Sequence, residues 1–168
     1  MVTFSMFTKA AVDHWETVVY ETNTWKYFIP TGSVPIDWNT LAFNDASWNS
    51  AQGGFGYGDG DDNTTFSSTI SAYQRIVFNI VDISKIEQFL LNVDYDDAFV
   101  AYLNGVEIAR SNISSSGQPP YNQLANGEHE AMMYQGQDPE SFLLNPTLIQ
   151  SLIQNGANLL AIQTHNVT

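Results

Sequence analysis

Three oxygen-bearing side chains alternate along a glycine-rich stretch, residues 53–65: Asp59, Asp61 and Asn63, with Asp62 adding another carboxylate. A hard cation such as Ca²⁺ takes about six to eight oxygen ligands, and glycines let the backbone turn its carbonyls inward to supply some of them. The loop is not an EF-hand, because Thr64 stands where that motif requires glycine. The competing expectation is a solvated acidic turn whose carboxylates cap backbone amides. Asp59, Asp61 and Asn63 are the candidate ligands of a structural Ca²⁺.

A second set of residues suits sugars. A sugar ring offers CH groups on one face, so a flat aromatic ring beside an amide or carboxylate matches it. Tyr57, Tyr121, Tyr95 and Trp38 are the candidates, Tyr57 and Tyr121 because they stand in glycine-, proline- and asparagine-rich loops. Trp25 and Trp48 are expected to be structural. Asp94, Asp96 and Asp97 form a second acidic group. In a strand Asp94 and Asp96 share a face and Asp97 opposes them, which suits a corner tied to backbone amides, or to Arg75 or Arg110, better than an acid–base pair. A shared cation is the alternative there.

Other chemistries lack their residues. His14, His129 and His165 have no metal-binding spacing and there is no cysteine, so zinc and thiolate sites are not expected. No Gly-x-Ser-x-Gly elbow and no phosphate-binding glycine loop is present. No catalytic residue is assigned.

The elements that must position these residues are mostly strands. Residues 98–103 are an apolar run, Asn104-Gly105 follow, and residues 106–110 return, which predicts a hairpin closed by a type I′ turn. Phe89, Leu91 and Val93 alternate just before it. Residues 74–81 form a strand with Ile76, Phe78 and Ile80 in phase, residues 159–165 a late strand, and residues 12–20 a weaker one. One helix is expected: Asn145 caps it, Pro146 fits its first turn, Leu148, Ile149, Leu152 and Ile153 share a face, and Asn155-Gly156 stops it. Residues 52–71 and 111–127 are long, turn-rich stretches, and such loops often carry function. Strands with one short helix indicate an all-β antiparallel β-sandwich in a single domain, residues 1–168.

The totals narrow the partners. The 168 residues carry 18 acidic and 5 basic side chains, a net charge of −13. Nucleic acid needs clustered Lys and Arg, so it is disfavoured, as is an anionic membrane surface. No stretch approaches the ~20 apolar residues of a membrane span. A divalent cation or a neutral polymer such as a glycan fits. Charged residues make up 14 % of the chain, below the usual ~25 %. The polar surface must therefore come from Asn, Gln, Ser, Thr and Gly. Residues 1–15 lack a basic segment followed by an apolar core, so any signal peptide is expected upstream.

The segment 94–110, with its acids, buried strand, Asn-Gly turn and closing Ala-Arg, resembles the galactose-binding-like jelly-roll modules of large secreted bacterial multidomain proteins. Trp25-Lys26-Tyr27, Phe43-Asn44-Asp45-Ala46-Ser47-Trp48, the glycine-aspartate loop at 54–61 and the stretch 158–166 follow in the same order. The resemblance covers about residues 25–168 and implies a jelly roll. It also implies a secreted or cell-surface setting, neighbouring domains in the same chain, and a non-catalytic role such as carbohydrate binding or adhesion. Similar modules include carbohydrate-binding modules and β-galactosidase accessory domains. A structural spacer is the alternative role, and an enzyme domain the least expected. Such modules often hold structural calcium.

Overall fold

Alternation of side chains builds a central sheet that is covered on both faces. The computed structural model describes residues 14–57, 60 and 62–168. Its strands are β1 (Thr24–Phe28), β2 (Asn49–Gln52), β3 (Phe55–Gly56), β4 (Thr64–Thr65), β5 (Ser71–Ile80), β6 (Leu90–Val93), β7 (Ala98–Leu103), β8 (Val106–Ser111), β9 (Glu140–Leu143) and β10 (Gly156–His165), with a helix α1 (Pro146–Leu152) before the last. Six strands form one antiparallel sheet in the order β2-β1-β5-β10-β7-β8. β10 lies at its centre, with Leu160 opposite both Ile76 and Leu103.

The period of two sorts the residues onto two faces. Tyr73 and Arg75 of β5, Ala98, Val100 and Tyr102 of β7, and Leu159, Ala161, Gln163 and His165 of β10 share one face. Loops bring Trp38, Trp48 and Ile113 onto it, with Phe43 and Tyr121 at the margin. On the opposite face Phe99, Ala101 and Leu103 meet the antiparallel pair β6–β9 and α1 through Val93, Phe142, Leu144, Ile149 and Ile153. Because both faces are covered, all six residues of β7 are buried, and β7 reads as a continuous apolar run rather than an alternating one.

The hairpin forms as its turn residues require. Leu103 pairs Val106, and Asn104 and Gly105 take φ of 50° and 92°. A bulge leaves Ile108 as the extra residue of β8, since Ala101 faces Ala109 while Tyr102 faces Glu107. The helix begins as expected, with Asn145 Oδ1 accepting from the Leu148 amide at 3.2 Å and Pro146 in the first turn. It ends earlier than the sequence suggested: Ile153 is extended and already caps it. Gly156, at φ 89°, instead opens β10. Leu148 is 38 % exposed, so the buried stripe is carried by Ile149 and Ile153. The strand expected at residues 12–20 is absent from the described residues 14–20, and residues 12 and 13 lie outside the described residues. Phe89 falls just before β6, whose partner is β9 rather than the neighbouring hairpin.

Candidate functional site

The loop-covered face is held by a buried cation. Arg75 is 2 % exposed, and its Nε donates to Asp45 Oδ2 at 2.8 Å. Its Nη1 donates to the Trp38 carbonyl and to the Thr40 carbonyl. The guanidinium carbon stands 5.1 Å from the Phe43 ring centre and 5.8 Å from that of Trp48. Burying such a charge is tolerated only when its donors are satisfied and an anion faces it. One side chain of the sheet thus fixes the whole 38–48 segment, and places the Trp38 ring edge-on to Tyr73 and Tyr102.

Above Trp38 two loops enclose a cleft of about 400 Å³. That volume lies at the lower end of the about 300–1,000 Å³ typical of ligand sites. One wall is Ser33, Val34 and Ile36, the other Gln118, Pro120, Tyr121 and Asn122, and Trp38, Tyr73 and Pro119 lie beneath. Gln118 clasps the walls together: its Oε1 accepts from Trp38 Nε1 at 3.0 Å and its Nε2 donates to the Ile36 carbonyl at 2.8 Å. The second wall is tied to the sheet twice. Ser71 Oγ donates to the Tyr121 carbonyl at 2.6 Å, and Gln163 Nε2 to the Pro119 carbonyl at 2.9 Å. Gln163 also donates to Tyr73 Oη at 2.8 Å, while its own Oε1 is buried without a partner. Burial pushes the Tyr73 phenol well above its usual range, the Gln163 bond opposing only in part, so the hydroxyl keeps its proton.

The aromatic candidates separate. Tyr121 is half-buried, with its ring packed on the core margin and lining the cleft. Trp38 is 1 % exposed and Tyr95 4 %, which corrects the expectation that their rings face a sugar. Trp38 braces the floor as the centre of the ring cluster. Tyr95 is enclosed because His129 stacks on it at 4.1 Å, while its hydroxyl donates to Glu140 Oε2 and accepts from Ser111 Oγ. Tyr57 is half-buried away from the cleft, its ring against Phe66 and its hydroxyl accepting from Asn166 Nδ2 at 2.7 Å. The residues that the sequence did not single out are Gln118, Asn122 and Ser33. The consecutive prolines 119 and 120, which stiffen one wall, were the local signal for Gln118 and Asn122, whereas Ser33 had none.

The acidic groups also separate. Asp59 and Asp61 lie outside the described residues. Asn63 Nδ2 donates to the Gly53 carbonyl at 3.2 Å, which closes the base of the loop beside the parallel pair β3–β4. The Asp62 carboxylate lies over Gly56, where a Cβ would meet it at 2.3 Å. Asp94 accepts from the amides of Met132 and Met133, and Asp97 from those of His129 and Val167. These are the backbone-tied corners expected of them, but neither arginine takes part: Arg75 pairs with Asp45 and Arg110 with Glu107. Among the described residues no group of three or more His, Asp or Glu is placed to hold a metal.

A smaller recess of about 290 Å³ opens where β1 and β5 splay apart, lined by Trp25, Lys26, Asp45 and Arg75 among others. Arg75 is spent on Asp45 and two carbonyls, and Lys26 Nζ donates to the Trp48 carbonyl at 3.5 Å.

The architecture is an all-β antiparallel sandwich with one short helix. No family model matches the sequence, and no curated protein matches it by sequence. Solved structures do match the fold. Bacteroides uniformis beta-glucuronidase aligns at a TM-score of 0.55 and 16 % identity, over 90 % of this chain and 14 % of that one. Bacteroides uniformis beta-glucuronidase 2, covalently bound to cyclophellitol-6-carboxylate aziridine, aligns at 0.54 and 16 %, over 90 % and 15 %. A calcium binding mutant of the same enzyme aligns at 0.52 and 16 %, over the same shares of each chain. The chain thus spans about one-seventh of the length of these enzymes, and the likeness is one of fold.

Proposed function

We propose that this chain is a non-catalytic, galactose-binding-like jelly-roll domain of a larger carbohydrate-active enzyme, and that it binds a glycan. The observation that carries the reading is the fold match over 90 % of this chain to about 15 % of beta-glucuronidase chains. A unit of that relative size accompanies a catalytic domain rather than constituting one. The cleft beside Tyr121 supports the binding role over that of a spacer, because its walls are held in place before any ligand arrives and its lining mixes rings with amides. Such a domain raises the local concentration of its catalytic neighbour on a polymer. A secreted or cell-surface setting belongs to the same reading. So does a structural Ca²⁺ held by Asp59, Asp61 and Asn63, in line with the calcium binding named for one fold relative.

The test is to offer the 168-residue chain to immobilised polysaccharides and to chromogenic glycosides. Retention on at least one polysaccharide with no turnover supports the proposal. Turnover that disappears on substitution of a single carboxylate contradicts it.

A further inference from the structure

The cleft between residues 33–38 and 118–122 differs from the rest of this acidic molecule in one respect. Its lining holds no ionisable group apart from the phenols of Tyr73 and Tyr121. The two guanidiniums beside its lining residues are both spent: Arg75 on the Trp38 carbonyl and Asp45, and Arg110 on the Gly117 carbonyl at 2.8 Å and Glu107. A carboxylate or sulfate entering here would lose its hydration without meeting a free cation, inside a chain of net charge −13.

What the cleft offers is suited to hydroxyls and CH groups. Ile36 is 76 % exposed, and with Pro120 and Tyr121 it makes an apolar rim. The Gln118 carboxamide has two N–H donors and two acceptor sites, and its bonds to Trp38 and Ile36 use one of each. The remaining donor and acceptor are already oriented. Asn122 and Ser33 are exposed and add adaptable donors and acceptors at the mouth.

We infer that this cleft binds a neutral saccharide, with a sugar ring laid on Tyr121 and its hydroxyls bonded to Gln118, Asn122 and Ser33, and that it rejects uronic acids. The inference rests on the carbohydrate-binding reading above and assigns that reading a site and a ligand class. Glucuronide chemistry is a property of the enzymes that share the fold, and nothing in this cleft calls for it.

Isothermal titration of the 168-residue chain with cello-, xylo- and galacto-oligosaccharides, and with oligogalacturonate as the acidic probe, tests the inference. At least one neutral series should bind. Tyr121→Ala should weaken that binding by about tenfold, the effect of losing one aromatic contact of about 1.4 kcal/mol. Asn122→Ala, at an exposed position, should weaken it several-fold with the melting temperature unchanged, which covers the case in which Tyr121→Ala disturbs the fold. Lys26→Ala, in the other recess, should leave it unchanged. Stronger binding of oligogalacturonate, or neutral binding that is indifferent to Asn122→Ala and Tyr121→Ala, overturns the inference while the carbohydrate-binding reading stands. Binding of no probe overturns both.

Discussion

The two faces of the central sheet are covered by opposite means. On one face β6–β9 and α1 press Val93, Phe142, Leu144 and Ile149 onto Phe99, Ala101 and Leu103, a contact between apolar side chains. On the other the cover is loop, and the sheet reaches into it with buried polar groups: Arg75 holds the carbonyls of Trp38 and Thr40, Gln163 that of Pro119, and His165 Nδ1 that of Gln123 at 2.7 Å. A loop has backbone groups without ladder partners, so it can be buried only where side chains supply them. The same requirement leaves oriented polar groups beside rings, and this is why the cleft lies on the loop-covered face.

The difference is testable through stability. Arg75→Met keeps much of the volume but strands Asp45 and two carbonyls. It should cost about 3 kcal/mol, the lower end for one partner of a broken buried pair because Asp45 is partly exposed. Denaturant unfolding measures this, and a loss within error of zero would show that the polar cover does not depend on Arg75. Gly105→Val should cost about 1–3 kcal/mol, since Gly105 sits at φ 92° and the new Cβ would meet Thr40 Cγ2 at 3.2 Å. An unchanged midpoint would refute the turn's role in joining the hairpin to the 38–48 segment. On the apolar face Ile149→Val should cost only about 0.5–1.5 kcal/mol, a methylene's worth of packing. A larger loss there than at Arg75 would reverse the comparison.

The smallest effect concerns pH. Burial lowers the His165 pKa below its ordinary 6.5, with the Gln123 carbonyl opposing in part, and its Nε2 has no partner. The folded state therefore resists a proton that the unfolded chain accepts. The neutral ring's contribution is fully present above pH 6.5 and is lost as pH falls through the lowered folded value. His165→Asn, which keeps a donor for Gln123, should make the melting temperature fall less steeply below pH 6.5 than it does in the wild type. An identical slope would show that His165 does not titrate across that window.

Much of the frame was legible in the sequence because it is set by local rules. Asn104-Gly105, the Asn145-Pro146 helix start and the alternation in β5 each declare themselves within a few residues. The cleft was not legible in the same way. Tyr121 was visible as a loop aromatic, yet its neighbours Ile36 and Gln118 are 82 positions apart and meet through a single amide bond. The burial of Trp38 and Tyr95 was likewise decided by distant partners, Tyr73 and Tyr102 for one and His129 and Glu140 for the other. Sequence spacing reports periods along one element, whereas ring exposure depends on which loops fold over it.

The most direct test of the loop-covered face as the binding face is a titration of the isotopically labelled chain with a neutral oligosaccharide, followed by the amide and indole N–H resonances. The prediction is that the Trp38 Nε1–H, the Gln118 and Asn122 side-chain amides and the Tyr121 backbone amide shift together and saturate. Amides of Phe99, Phe142 and Ile149 should stay in place. Saturable shifts confined to the β6–β9 and α1 face, with Trp38 Nε1–H unmoved, would contradict it.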